Sequence, residues 1–282
     1  NRGMEFTLNT KNLTGEFAWS SNFNISFNKN KVLEVGVDGR PIYGSAANAN
    51  NAFITKPGYP IASFYGYKYI GVFQSEEELA KYPHLSGDKV GDGRYEDVNK
   101  DGVLDQNDKT ILGDNNPLFT AGFSNSFSYK NFTLDIQFTG SYGAEVFSFY
   151  KRMCGIYHGD RNGMIEQLGR WQSKDQPGDG IHFRPTRTPS GWQRDPSSAW
   201  VQDASYLRLR NLTLGYNFDQ KVLDKMKMKG LRLYVTGQNL FTITNYVGYD
   251  PETSSESGLA QGGDYLGYPA ARSFIIGANI TF

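Results

Sequence analysis

The stretch "NFTLDIQFTGSYG" (residues 131–143) alternates apolar and polar side chains almost without a break. One face of an extended chain would carry Phe132, Leu134, Ile136, Phe138 and Tyr142, and the other Thr133, Asp135, Gln137, Thr139 and Ser141. This period of two predicts a β-strand with one apolar and one polar face. The same pattern recurs in residues 3–10, 17–27, 119–129, 206–218, 231–241 and 273–282.

Two architectures use such strands. A soluble sandwich buries the apolar face, whereas a transmembrane barrel turns it to lipid and lines its lumen with the polar face. Several of the stretches run for ~9–11 residues or more, the length that crosses a bilayer when tilted, while soluble strands more often stop at ~5–6. Strand length therefore favours the barrel.

The connections between the strands alternate in length. Short links at 10–16, 130–131 and 219–230 separate three long excursions, at 29–118, 143–204 and 241–271. Short turns on one side and long loops on the other are typical of outer-membrane barrels, with the long loops extracellular. This alternation requires that "SFYGYKYIGVF" (63–73) stays in loop structure above the membrane.

The predicted fold is therefore all-β, a transmembrane antiparallel β-barrel with about seven spanning strands. Seven strands cannot close, because bacterial single-chain barrels have even strand counts and lipid tolerates no open edge. We therefore expect the C-terminal part of a larger barrel, and a start at Asn1 without Met or leader agrees with that. Aromatic residues near predicted strand ends are candidates for interfacial girdles, namely Trp19, Tyr129, Tyr142, Tyr216, Phe218 and Phe282.

Composition excludes several function classes. Lys plus Arg and Asp plus Glu both total 29, so no basic surface predicts nucleic-acid binding. The single Cys154 can form neither an internal disulfide nor a thiolate zinc cluster. The three histidines have no zinc spacing, and neither a GxSxG motif nor a phosphate loop is present. The sequence predicts no enzyme.

The stretch "DVNKDGVLDQND" (97–108) resembles an EF-hand calcium loop. Gly102 would allow the sharp turn, and Asp108 stands where an EF-hand has Glu. The candidate ligands are Asp97, Asn99, Asp101, the Val103 carbonyl, Asp105 and Asp108. The alternative is a turn without metal, since Asn, Asp and Gly favour turns anyway. A structural calcium would brace a long excursion that cannot build its own core.

The excursion at 143–204 is rich in aromatic and arginine side chains. Such side chains suit sugar faces or peptide backbones, and they are also common where proteins pack against partners. The candidates for substrate or partner binding are Tyr157, Trp192, Arg194 and Trp200. The alternative is that they pack the excursion onto a partner or onto the barrel rim.

The apolar register flips between Leu209 and Leu212. Continued alternation places Arg208 and Arg210 on the face of Leu212 and Leu214. Two explanations remain open: a β-bulge, or an upper segment of the strand that rises above the membrane.

The chain resembles SusC/RagA-type TonB-dependent transporters nearly end to end. The resemblance rests on blocks such as "YEDVNKDGVLDQNDKTILGDNNPLFTAGFSNSFSYKNFTLDIQFTGSYG" (95–143), "ASYLRLRNLTLGYNF" (204–218) and "LRLYVTGQNLFTITNYVGYDPE" (231–252). It implies an outer-membrane importer with a 22-stranded barrel, of which fifteen strands and a plug would lie upstream. It also implies energy from TonB, a SusD-like surface lipoprotein as lid, and oligosaccharides or peptides as cargo. The alternative function is a secreted calcium-binding β-sandwich or adhesin-like module.

Overall fold

The computed structural model describes residues 1–46, 49–155, 162–186, 195–252 and 257–282. Its strands are β1 (Arg2–Thr14), β2 (Phe17–Lys29), β3 (Ile42–Ala46), β4 (Ala49–Thr55), β5 (Ser63–Gly66), β6 (Tyr69–Val72), β7 (Gly93–Tyr95), β8 (Thr110–Gly113), β9 (Phe119–Tyr129), β10 (Phe132–Tyr142), β11 (Glu145–Ser148), β12 (Val201–Asp203), β13 (Tyr206–Asn217), β14 (Gly230–Thr244), β15 (Gly263–Asp264) and β16 (Ser273–Thr281). The helices are α1 (Glu76–Lys81), α2 (Phe149–Gly155) and α3 (Gln220–Met226), with 3-10 turns at Gln106–Asp108, Ile165–Gly169 and Ser198–Trp200.

The long strands form one seven-stranded sheet in the order β1-β2-β9-β10-β13-β14-β16. Every neighbouring pair is antiparallel. The hairpin between β9 and β10 turns on Lys130, whose φ of 51° is the left-handed conformation that tight hairpins use. All three long excursions leave the sheet at the other ends of its strands, opposite the short turns. β14 continues to Thr244, past the predicted start of the third excursion at 241.

One face of this sheet, the apolar face, is exposed across its whole width. Met4 of β1 is 65% exposed and Ile276 of β16 is 84% exposed, and the strands between them present Phe, Leu and Val. An exposed apolar surface of this extent marks a membrane or partner contact. A soluble sandwich would bury these side chains under a second sheet, so the alternative prediction of a sandwich is wrong.

Aromatic rings mark both ends of the apolar face. The lower girdle lies beside the short turns and includes Phe17, Trp19, Phe127, Phe132 and Tyr216, with ring centroids 4.8–6.2 Å apart in the contacting pairs. The upper girdle is the row Phe27, Phe119 and Tyr142. Along β10, the strand from Phe132 to Tyr142 rises ~3.3 Å per residue at a tilt of ~40°, giving ~25 Å between girdles, the height of a lipid-facing band.

A polar side chain, that of Asn125, lies on the apolar face, and its oxygen is hydrogen-bonded. Asn125 of β9 faces the same side as Trp19 and Ser21 of β2. Its Oδ1 accepts hydrogen bonds from Trp19 Nε1 at 2.9 Å and from Ser21 Oγ at 2.7 Å. Because the Trp19 and Ser21 donors are both paired with this oxygen, the cost of placing these polar groups toward lipid is reduced.

A bulge in β13 resolves the register flip. The pairing with β10 shifts between Gln137 and Phe138, so Arg210 is an extra residue in β13. Leu209 and Leu212 therefore share the apolar face, opposite Phe138 and Ile136. The bulge explanation is confirmed. The placement of Arg208 on the face of Leu212 and Leu214 is wrong, because the bulge turns Arg208 to the polar face.

The polar face of the sheet carries a ladder of hydrogen bonds between strands. Its pairs include Ser126 Oγ to Asp135 Oδ1 at 2.6 Å, Asn211 Nδ2 to Gln137 Oε1 at 2.8 Å, and the hydroxyls of Thr213 and Thr236 at 2.8 Å. Polar residues on this face agree with a lumen lining. Separately, no helix in the described part of the chain is long and apolar enough to cross a membrane.

Two adjacent residues of β9 test the orientation of the sheet. Phe123→Lys should lower the free energy of unfolding by roughly 2–4 kcal/mol, because it places a cation in the middle of the lipid-facing band. Ser124→Lys, on the polar face, should cost clearly less. Urea unfolding of the intact receptor in liposomes would measure both, and equal costs would contradict the assignment of faces.

Candidate functional site

The three excursions share one hydrophobic core above the sheet. The first contributes Ala49, Ala52, Phe53, Phe64 and Val72, the second Phe147, Phe183 and Trp200, and the third Ala260. The Phe53 ring lies 5.9 Å from that of Phe147, and the Phe183 ring 5.9 Å from that of Trp200. The expectation that the first excursion cannot build its own core is wrong. Tyr67, Tyr95 and Leu104 of that excursion form a buried cluster of their own, and the excursion also shares the larger core with its neighbours.

Polar contacts join the excursions as well. The guanidinium of Arg184 binds the buried carboxylate of Asp92 through two hydrogen bonds, of 2.6 and 3.2 Å. Strand β11 pairs with β12 in antiparallel and with β15 in parallel orientation, which links the second and third excursions. The excursions thus behave as one packed layer rather than as three separate loops.

The loop at 97–108 is closed by hydrogen bonds from backbone N–H groups to side-chain oxygens. Asp97 accepts from the amides of Lys100 at 2.7 Å and Gly102 at 2.9 Å. Asp108 is fully buried and accepts from Val98 at 2.9 Å and Asp105 at 2.8 Å. Gly102 has a φ of 85°, which explains the glycine at this turn.

The fit of this loop to calcium depends on how its oxygens converge. Among the described residues, no three His, Cys, Asp or Glu side chains are grouped so that they could hold a metal ion. The side chains of Asp101 and Asp105 each accept from a backbone amide two residues on, at 2.9 and 2.7 Å. Such bonds also suit the metal-free turn. Calcium binding stays a prediction.

Three of the four predicted binding residues, Tyr157, Trp192 and Arg194, lie outside the described residues. The fourth, Trp200, is only 2% exposed. Its ring packs in the shared core, and its Nε1 donates to the Asp195 carbonyl at 3.3 Å. This placement favours the packing alternative for Trp200, and its role in binding stays a prediction.

The sequence did not reveal a buried charged cluster in the described part of the chain. Arg208 of β13 is 2% exposed and donates to Asp250 at 2.5 Å, to Glu252 at 2.8 Å and to Thr242 at 2.9 Å. Arg210, at the bulge, binds both carboxylate oxygens of Glu252, at 2.7 and 2.9 Å. The two acids belong to the third excursion, so this cluster fastens that excursion to the polar face of the sheet.

Hydrogen bonds and the neighbouring arginine favour the charged form of Asp250. Burial acts to raise the pKa of the Asp250 carboxyl, but amide donors from Ala270 and Glu252 together with Arg208 outweigh it, so its pKa lies below the usual range. The only signal in the sequence was the acidic pair in "DPE" (250–252), which follows a strand that neighbours the two arginines. No residue spacing links the partners.

Curated relatives match the whole chain. TonB-dependent receptor P3 of Formosa agariphila is 35% identical over 294 residues, covering 100% of this chain and 28% of that receptor. Receptor P26 of the same organism is 34% identical, covering 100% and 29%. TonB-dependent receptor SusC of Bacteroides thetaiotaomicron is 28% identical, covering 100% and 26%. The chain thus spans less than a third of these receptors. No family model matches it.

Solved structures show the same fold. The RagAB peptide transporter aligns with a TM-score of 0.78 and 19% identity, covering 99% of this chain and 29% of that one. The RagAB peptide importer in its "open-open" state gives a TM-score of 0.72 and 20% identity, covering 99% and 28%. At these identities the likeness concerns the fold alone.

The exposed apolar face, its two girdles and the one-sided excursions define the wall of an outer-membrane β-barrel. Over its whole length the chain is similar to part of TonB-dependent receptors, SusC among them, and it shares its fold with the RagAB transporter, which confirms the resemblance predicted from the sequence. It is an outer-membrane protein. Its relatives are receptors and transporters rather than enzymes, in agreement with the prediction.

The arginine cluster gives a prediction about the third excursion. Arg208→Met would leave Asp250 and Glu252 without their buried partner, and breaking a buried ion pair costs about 3–5 kcal/mol. Hydrogen–deuterium exchange of the intact receptor should therefore become faster in residues 245–252. Arg210→Met, at a more exposed position, should change the exchange much less. Equal exchange in both variants and the wild type would contradict the anchoring role.

Proposed function

We propose that this chain is the wall and the outer vestibule of an importer that takes up nutrients with energy from TonB. The observation that carries the proposal is the match of the entire chain to TonB-dependent receptors, at up to 35% identity. The packed layer of excursions would form the rim on the extracellular side. The plug and the segment that contacts TonB would lie in other parts of the receptor.

A SusD-like surface lipoprotein is the proposed lid. The relationship to SusC supports this kind of partner, and so does the exposed aromatic surface of the excursions. Tyr249, Tyr265 and Tyr268 of the third excursion are exposed large side chains, and tyrosine is enriched at protein interfaces.

The proposed cargo is an oligosaccharide, with a peptide as the alternative. The fold neighbour is named as a peptide transporter, but its identity of 19% carries only the fold. Polar side chains of the sheet, such as Thr133, Gln137 and Thr139, would line the lumen or contact the plug. They would suit either class, since hydroxyls and amides both donate and accept hydrogen bonds, and sugar hydroxyls and peptide groups do the same.

Purification from outer membranes in mild detergent would test the proposal. We expect the rest of the receptor and a surface lipoprotein to co-elute, identified by mass spectrometry, and uptake of the cargo to stop when TonB is deleted. Glycan and peptide arrays on the co-eluting lipoprotein would decide between the two cargo classes. Uptake that continues without TonB would contradict the proposal.

Calcium in the loop at 97–108 is a separate proposal, supported by the spacing of its oxygen ligands. We expect the intact receptor to bind one calcium at ~10⁻⁴–10⁻³ M, the affinity of extracellular sites, and the D97N/D101N variant to lose it. Asp175→Asn, an exposed change elsewhere, is the matched control. Calorimetry at millimolar calcium would measure this, and a wild type without binding would leave the metal-free turn as the answer.

A further inference from the structure

Two cations stand opposite each other at the upper end of the apolar face. Arg2 of β1 and Lys29 of β2 are direct partners in the strand register, and the next pair on the same face is Met4 with Phe27. Because alternate residues of a strand share a face, both cations project on the lipid side. Both side chains are exposed.

Their height on the barrel is fixed by the upper girdle. The rings of Phe27 and Phe119 lie 6.0 Å apart, and those of Phe119 and Tyr142 lie 5.4 Å apart. Such girdles lie at the boundary between the acyl chains and the headgroups. Arg2 and Lys29 stand one row beyond the girdle and therefore at the depth of the headgroups.

The positive charges of Arg2 and Lys29 repel each other, and a bound anion would relieve this repulsion. Like charges directly opposite each other on neighbouring strands destabilise a sheet. Neither Arg2 nor Lys29 forms a salt bridge with any carboxylate in the described ranges. Lys31 adds a third exposed cation two residues along the chain. An anionic group between them would replace the repulsion with attraction.

A cleft beside the pair has the shape for such a group. Its volume is about 820 Å³, and its lining includes Arg2, Lys29 and Lys31 together with apolar Met4, Phe27 and Leu118. One acidic residue, Asp114, also lines it, and its Oδ1 accepts from the amide and the side chain of Asn116. The cleft thus has a basic upper part and an apolar lower part.

We propose that Arg2 and Lys29, assisted by Lys31, bind the phosphate of a lipid headgroup in the outer leaflet. The acyl chains would lie along Met4 and the rings of Phe27 and Phe119. The arginine fork is suited to phosphate oxygens, and the ammonium groups act as point charges beside it. A membrane lipid is the occupant because charge and apolar surface meet here at the level of the headgroups.

The experiment uses the intact receptor in nanodiscs of phosphatidylcholine. Phosphatidic acid is the probe, and diacylglycerol, which lacks the phosphate, is its match. Native mass spectrometry would count the retained lipid for the wild type and for R2Q/K29Q. The control variant K225Q/K229Q removes two exposed lysines at the end of the sheet where the short turns lie. It changes the net charge by the same amount as R2Q/K29Q.

We expect the wild type and the control to retain phosphatidic acid, and R2Q/K29Q to bind it at least fivefold more weakly. Diacylglycerol should be retained poorly by all three, and inorganic phosphate at the same concentration should not displace the lipid. Equal retention by R2Q/K29Q, or equal retention of diacylglycerol, would overturn the proposal. Full displacement by inorganic phosphate would also overturn it, because it would indicate a site for the free anion.

Discussion

Backbone hydrogen bonding in lipid is the constraint on which the rest of this structure depends. At membrane depth no water is present to bind an N–H or C=O group, so each spanning strand must pair with a neighbour on both sides. The seven long strands satisfy one another in chain order, and the only edges of their sheet are those of β1 and β16. Side chains then sort by face, the apolar ones to lipid and the polar ones inward. Where a polar residue does face lipid, as Asn125 does, its oxygen is already occupied by Trp19 and Ser21.

The excursions are surrounded by water rather than lipid, so burial of apolar surface is what stabilises them. They leave the sheet at the upper ends of its strands and enter water. There the loss of conformational entropy on ordering the chain must be offset by burial of apolar surface. The first excursion buries Tyr67, Tyr95 and Leu104 in a cluster of its own. Phe53, Phe147 and Ala260, which come from three different excursions, pack together in the shared core. A joint core gives the layer of excursions a defined outer surface.

The arginine cluster joins the membrane-spanning sheet to the excursions above it. A single extra residue in β13 turns Arg208 from the lipid side to the inner side, where Asp250 and Glu252 of the third excursion neutralise it. The bulge thus avoids an arginine in lipid and creates an anchor for a long segment. The sheet and the third excursion are joined at this point, so a movement of that excursion has to act against buried, charge-assisted hydrogen bonds.

The sequence by itself determined the class of fold, the number of spanning strands and the sidedness of the long segments. It could do so because alternation and segment length are local properties that read directly as strand faces and as crossings of a bilayer. Only the tertiary structure decided where Arg208 points and that Trp200 packs in a core. It also decided that Asp250 and Glu252 are the carboxylates that pair with Arg208. Each of these depends on contacts between segments far apart in the chain, such as 208 with 250. A one-residue bulge reverses a face, and no local pattern records which distant carboxylate will then lie beside it.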